Sequence, residues 1–150
     1  MEKKMNNKGF SLVELIIVVA IMAVLIGVLA PAYLQYVEKS KRTSDCSAIG
    51  SVMDAMEILA ADPSVDWTKD ETCTANITTT SCTYGGTATN INTLIDAIVD
   101  DADNRITGSW SDITVTGTKT DNGTVDFTIS GTITLIDIEK VSPALANRIE

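Results

Sequence analysis

Lys8-Gly9-Phe10-Ser11-Leu12-Val13-Glu14 opens an apolar run that continues to Ala30. A basic leader with Lys3, Lys4 and Lys8 ends at Gly9, and from Phe10 to Ala30 the only charge is Glu14. Those 21 residues would make roughly 31 Å of helix, about the thickness of a bilayer's hydrocarbon core. A carboxylate in such a span costs about 2.5–3.5 kcal/mol at the centre on insertion scales, and less near the end. An acid in that place needs a partner or a task. A secretory signal peptide is excluded, because its apolar core is shorter and its cleavage site follows the core. The three leader lysines place the leader inside the cell and the C-terminal body outside.

The helical pattern does not stop with the apolar run. Pro31 kinks a helix without ending it when neighbouring groups compensate. Beyond it Cys46, Ile49, Met53, Met56 and Ala60 recur every three or four residues, the spacing of one buried face. Lys41, Ser44, Ser47, Ser51 and Asp54 occupy the other side, where Ile58 is the one apolar exception. Asp62-Pro63 supplies the stop. One helix from Phe10 to about Ala61, apolar in its first half and amphipathic in its second, does not suit a soluble enzyme.

Within the body, residues 63–86 read as loop with short strands at most. Asn90 to Asp103 regains helical spacing through Ile91, Leu94, Ile95 and Ile98, with Asn90 or Asn92 as the N-cap. Alternation then predicts three antiparallel strands at 111–118, 124–130 and 132–139, with a tight turn at Asp121-Asn122-Gly123. Val141, Leu145 and Ile149 predict a short C-terminal helix after Ser142-Pro143. The expected class is α+β, with the amphipathic half of helix 1 laid on a small antiparallel sheet. Met53, Met56, Trp67, Tyr84 and Trp110 read as core.

These residues resemble the class III signal of type IV prepilins and pseudopilins. A basic leader, a glycine, an aromatic residue, a small polar residue, two apolar residues and a glutamate all stand in place, and Pro31 follows the run as it does in the family. The resemblance divides the chain into a leader (1–9), a transmembrane and filament-core helix (10–30), and the helix continuation with a globular head (31–150). It implies cleavage after Gly9 by a prepilin peptidase, N-methylation of Phe10, and a type IV pilus subunit polymerised through its N-terminal helix. The implied partners are other copies of the chain, the peptidase, the membrane, and an assembly platform with its ATPase. The precursor would sit in the cytoplasmic membrane and the product in an extracellular filament used for adhesion, motility or aggregation. Glu14 would pair with the N-terminal amine of a neighbouring subunit, a positive charge that the helix dipole already disfavours. The resemblance also implies that Gly27 and Pro31, both weak in helix propensity, let this stretch loosen in a filament. Two other readings remain open: a pseudopilin of type II secretion or DNA uptake, and an anchored binding module that never polymerises.

Composition limits the chemistry. Removing residues 1–9 takes three of eleven basic residues and one of twenty acidic ones, leaving a mature charge of −11. Such a surface argues against holding nucleic acid through its phosphates. Histidine is absent, so no Ser/His/Asp or Cys/His site can form. We therefore expect no enzyme, no catalytic residue, no cofactor and no metal. Asp100, Asp101, Asp103 and Asn104 form an oxygen-rich cluster without EF-hand spacing, read as a solvated helix end. Asn76-Ile77-Thr78 and Asn122-Gly123-Thr124 fit the glycosylation sequon. Cys46, Cys73 and Cys82 lie in the exported part, where one disulfide is expected. Cys73–Cys82 is the favoured pair, and Cys46 with either is an alternative.

Overall fold

A computed structural model describes residues 9–99, 106 and 110–149. The chain divides between Val37 and Glu38 into two units. Helix α1 (Leu12–Ala61) runs through the dividing point as one uninterrupted element that contains Pro31. In the first unit every large apolar side chain from Phe10 to Tyr36 is exposed. Apolar side chains in contact with water on all sides of a helix mark a surface made for another solvent.

The second unit is an α+β body. It continues from the amphipathic half of α1 into β1 (Thr72–Thr78), β2 (Cys82–Gly86), α2 (Thr89–Ile98), β3 (Asp112–Lys119), β4 (Val125–Gly131), α3 (Leu135–Val141) and α4 (Pro143–Ala146). The four strands form one antiparallel sheet in the order β2-β1-β3-β4. Cys46, Ile49, Val52, Met53, Met56 and Leu59 bury one face of α1, as the spacing predicts, while Ile58 stays exposed. They meet the inward side chains of the sheet, among them Ile77, Ile113, Val115 and Phe127. Trp67, Trp110, Ile91 and Ile95 complete the same core, and Tyr84 packs against it half-buried. Gly117 lets α1 approach the sheet closely. A Cβ there would stand 2.8 Å from both Met56 Sδ and Val125 Cγ1.

The body corrects several expectations. Residues 63–86 hold two strands, and β1 lies inside the sheet between β2 and β3. Its inward positions are Cys73, Ala75 and Ile77, alternating with half-buried Thr72, Thr74, Asn76 and Thr78. Helix α2 ends at Ile98, earlier than expected, and begins after Ala88, with neither Asn90 nor Asn92 as its cap. The strand expected at 132–139 is helix α3. Gly131, at φ +121°, ends β4. Thr134 and Asp137 then close a reciprocal capping box, each side chain accepting from the other's backbone N–H at 3.3 Å. The C-terminal helix is the single turn Pro143–Ala146, and Ile149 lies beyond it, bridged to Phe127 at the edge of β4. The turn around Asn122 is as expected, with Gly123 at φ +77° and the Thr120 N–H donating to the Thr124 carbonyl at 2.9 Å. Arg148 fastens the chain end to α1 through Asp54 Oδ1 at 2.8 Å and Glu57 Oε1 at 3.0 Å, its guanidinium lying over Phe127.

The expected disulfide is also corrected: all three cysteines are buried thiols. Cys73 stands opposite Gly86 and Cys82 opposite Ile77, so they lie four positions apart on neighbouring strands. That offset is roughly 13 Å along the strand, about twice the largest Cα separation that a disulfide spans. Burial pushes the Cys73 thiol up to about 12, and burial with the nearby Asp45 carboxylate pushes Cys46 up to about 11. Both folded values lie above the ordinary thiol value of 9.0. The protonated thiols therefore contribute fully below about pH 9, and that contribution fades as pH rises towards 11–12. Urea titrations at pH 7, 9 and 10.5 should show stability falling above pH 9, and falling less in Cys73→Ala. In the native chain none of the three thiols should react with a disulfide reagent, and all three should react in denaturant.

Candidate processing and assembly site

The N-terminal segment concentrates the unusual chemistry. Ser11 precedes the first helical residue, Leu12, and Glu14 occupies the first turn. The Glu14 Oε2 accepts the Ser11 N–H at 3.1 Å, and the Ser11 carbonyl accepts the Leu15 N–H at 3.3 Å. A helix start leaves backbone donors without internal partners, and here the glutamate supplies one acceptor as half of a capping box. The Ser-x-x-Glu spacing of residues 11–14 is the sequence signal for this cap. The cap turns the carboxylate back towards Phe10, where a new amine would appear after cleavage beyond Gly9.

Gly9 and Phe10 lie ahead of the helix in extended or irregular backbone, and Phe10 is 91% exposed. A peptide bond outside regular hydrogen bonding is open to an enzyme that must grip both of its sides. Farther along, Gly27 and Pro31 stand four apart within α1. Pro31 has no N–H, so the Gly27 carbonyl lacks its ordinary helical donor, and the proline ring presses on that same carbonyl. A Cβ at Gly27 would meet nothing within 4 Å. The helix nevertheless remains unbroken from Leu12 to Ala61 in the single chain.

The structure brings Glu14 into contact with the Ser11 backbone and leaves Gly27, Pro31 and the three cysteines at separate places. Asp100, Asp101, Asp103 and Asn104 lie outside the described residues. Among the described residues no group of three or more Cys, Asp or Glu is placed to hold a metal ion. Of the two sequons, Asn122 is exposed in its turn, whereas Asn76 is half-buried between β2 and β3.

Leu12–Ala61 contains a stretch with mean hydropathy 3.1, none of it buried, long enough to cross a membrane. The glycine, the aromatic residue and the capping glutamate stand at its start. Residues 4–30 match the prokaryotic N-terminal methylation motif. That motif is the signal carried by type IV prepilins and pseudopilins, and the long apolar N-terminal helix is consistent with it. No curated protein and no solved structure matches this prepilin-like chain. The motif covers the leader and the apolar half of α1, and the α+β body agrees with the architecture that the signal implies. A membrane-anchored precursor is compatible with both.

Proposed function

We propose that the chain is a structural subunit of a type IV pilus. A prepilin peptidase cuts between Gly9 and Phe10, the new amine of Phe10 is methylated, and α1 polymerises into the core of an extracellular filament. Until assembly the subunit waits in the cytoplasmic membrane as a single-pass protein. Its partners are other copies of itself, the peptidase, and a membrane platform driven by an ATPase. It acts as a substrate of the peptidase, without an activity of its own, and its acidic head does not engage nucleic acid.

The observation that carries this reading is an apolar helix surface exposed on all sides and interrupted by one acid at its first turn. A bilayer satisfies the apolar surface and leaves the acid costly. A bundle of identical helices satisfies both, because each carboxylate meets the amine of a neighbour. A pseudopilin of a secretion or DNA-uptake system shares the signal, and abundance separates the two.

Mass spectrometry of filaments sheared from the cell surface tests the proposal. The expected result is an abundant chain that begins at Phe10, carries one added methyl group, and has three reduced cysteines. A chain that keeps residues 1–9, or one present in membranes and missing from every sheared filament, would overturn it.

A further inference from the structure

The basic residues of the mature chain are unevenly placed. Three of its eight, Lys39, Lys41 and Arg42, fall within four positions of α1, while residues 45–150 hold seventeen acids against five bases. Arg42 is engaged, donating to Glu38 Oε1 at 2.6 Å and lying over the Trp110 ring. Lys39 and Lys41 are exposed, and among the described residues neither is in an ion pair. Two residues apart on a helix, they point to nearly opposite sides. A pocket ligand would need them on one face. A planar layer that surrounds the helix needs them on both.

Distance along the helix says which layer. With Phe10 at the inner edge of the hydrocarbon, Ala30 lies about 30 Å away, and Tyr33 and Tyr36 about 35 and 39 Å. Lys39 and Lys41 follow at about 44 and 47 Å, which a tilt of ~20° shortens by a few ångström. Counted from that inner edge, about 30 Å of hydrocarbon and one headgroup layer end at about 35–38 Å. The two tyrosines, 66% and 74% exposed, therefore fall at the depth where aromatic side chains collect at a membrane interface. The lysines come next, on the water side of the phosphates, within snorkelling reach and a Debye length.

We infer that Lys39 and Lys41 form a girdle for the headgroups of anionic phospholipid on the outer face of the membrane, holding the waiting subunit at a fixed depth. The inference rests on the membrane-anchored reading and adds a lipid preference that neither the signal nor the fold contains. The acidic body strengthens it. An anionic surface repels the net-acidic residues 45–150 and attracts this turn of α1.

The test uses the full chain in phosphatidylcholine vesicles carrying a trace of spin-labelled phosphatidylglycerol or spin-labelled phosphatidylcholine. Lys3→Gln, Lys4→Gln and Lys8→Gln are present throughout to silence the leader. The electron paramagnetic resonance spectrum gives the fraction of each label immobilised on the protein. A preference for phosphatidylglycerol of about threefold at low salt is expected, falling to near parity in 1 M salt and in Lys39→Gln/Lys41→Gln. A double variant that keeps the full preference would overturn the girdle. So would a double variant with unchanged lipid preference that no longer forms filaments in cells, which would assign the lysines to a neighbouring acidic head. Resistance of each chain to carbonate extraction is read separately: extraction of the unsubstituted chain would remove the anchored reading itself, and the girdle with it.

Discussion

Glu14→Ala should leave the chain processed and lodged in the membrane, yet nearly absent from sheared filaments. The substitution removes the one charge in the span, so insertion becomes cheaper by part of the insertion cost of an acid. Assembly has the opposite sign. In a helix bundle the Phe10 amine of each subunit would lose its carboxylate, and an uncompensated buried charge costs about 3–5 kcal/mol. That is roughly a 10²–10⁴-fold loss in the association constant for each added subunit. Glu14→Gln keeps the shape and an acceptor for the Ser11 N–H but lacks the charge, and should fail as severely. Losing only the cap would cost about 1 kcal/mol and leave filaments nearly normal. The glutamine variant thus separates charge pairing from helix capping. Immunoblots of sheared and membrane fractions give the answer, and filaments in wild-type amount from either variant would refute the pairing.

Gly131→Ala should damage the body about as deeply as a single methyl group can. Gly131 sits at φ +121°, a backbone region that side chains rarely adopt, and a Cβ there would approach the Asp112 carbonyl oxygen to 2.3 Å. The obstacle is backbone, and it cannot swing aside like the end of a flexible side chain. Strain in φ and overpacking each cost roughly 1–3 kcal/mol, so a loss of about 3 kcal/mol or more is expected. For a body of this size that lowers the melting temperature by about 10–20 °C. Gly86→Ala, at φ +115° with its Cβ 2.3 Å from the Thr72 carbonyl oxygen, should behave alike. Gly123→Ala is the control: φ is +77° but nothing lies within 4 Å, so about 1 kcal/mol is expected. Equal melting temperatures in thermal circular dichroism for Gly131→Ala and the unsubstituted chain would contradict the account.

What the sequence revealed of this fold depended on the size of the inward side chains. In α1 the buried residues are large and recur every three or four positions, so both the helix and its buried face were readable from Cys46 to Ala60. In β3 and β4 they are Ile113, Val115, Val125 and Phe127, and period two stands out. Strand β1 carries the same period, but its inward residues are Cys73 and Ala75 before Ile77, and its outward ones are three threonines and Asn76. The alternation is there, with too little contrast to separate it from a loop. At residues 132–139 contrast misled instead. Ile133 and Leu135 continue the alternation of β4, yet Leu135 is exposed, and Ile133, Ile138 and Leu145 are the residues that reach the core. The Thr134–Asp137 capping box determined that segment. The cysteines failed for another reason: closeness in sequence says nothing of register, and register placed Cys73 and Cys82 at opposite ends of a hairpin. The functional segment was the most legible part of all, because its demands are local. A glycine, an aromatic residue, a capping glutamate and a length of apolar helix need no tertiary context to be recognised.

In the proposed precursor the span is clamped from both ends, with Lys3, Lys4 and Lys8 on one side and Lys39, Lys41 and Arg42 on the other. Pulling the helix either way would draw several cations through hydrocarbon, each at a cost of about 2.5–3.5 kcal/mol at the centre. The proposed cut after Gly9 would remove one clamp only. What remains at that end is an amine and the Glu14 carboxylate, opposite in sign and a few residues apart. Such a cut would make the membrane a one-way gate, closed towards the cytoplasm by the proposed girdle and open towards the head.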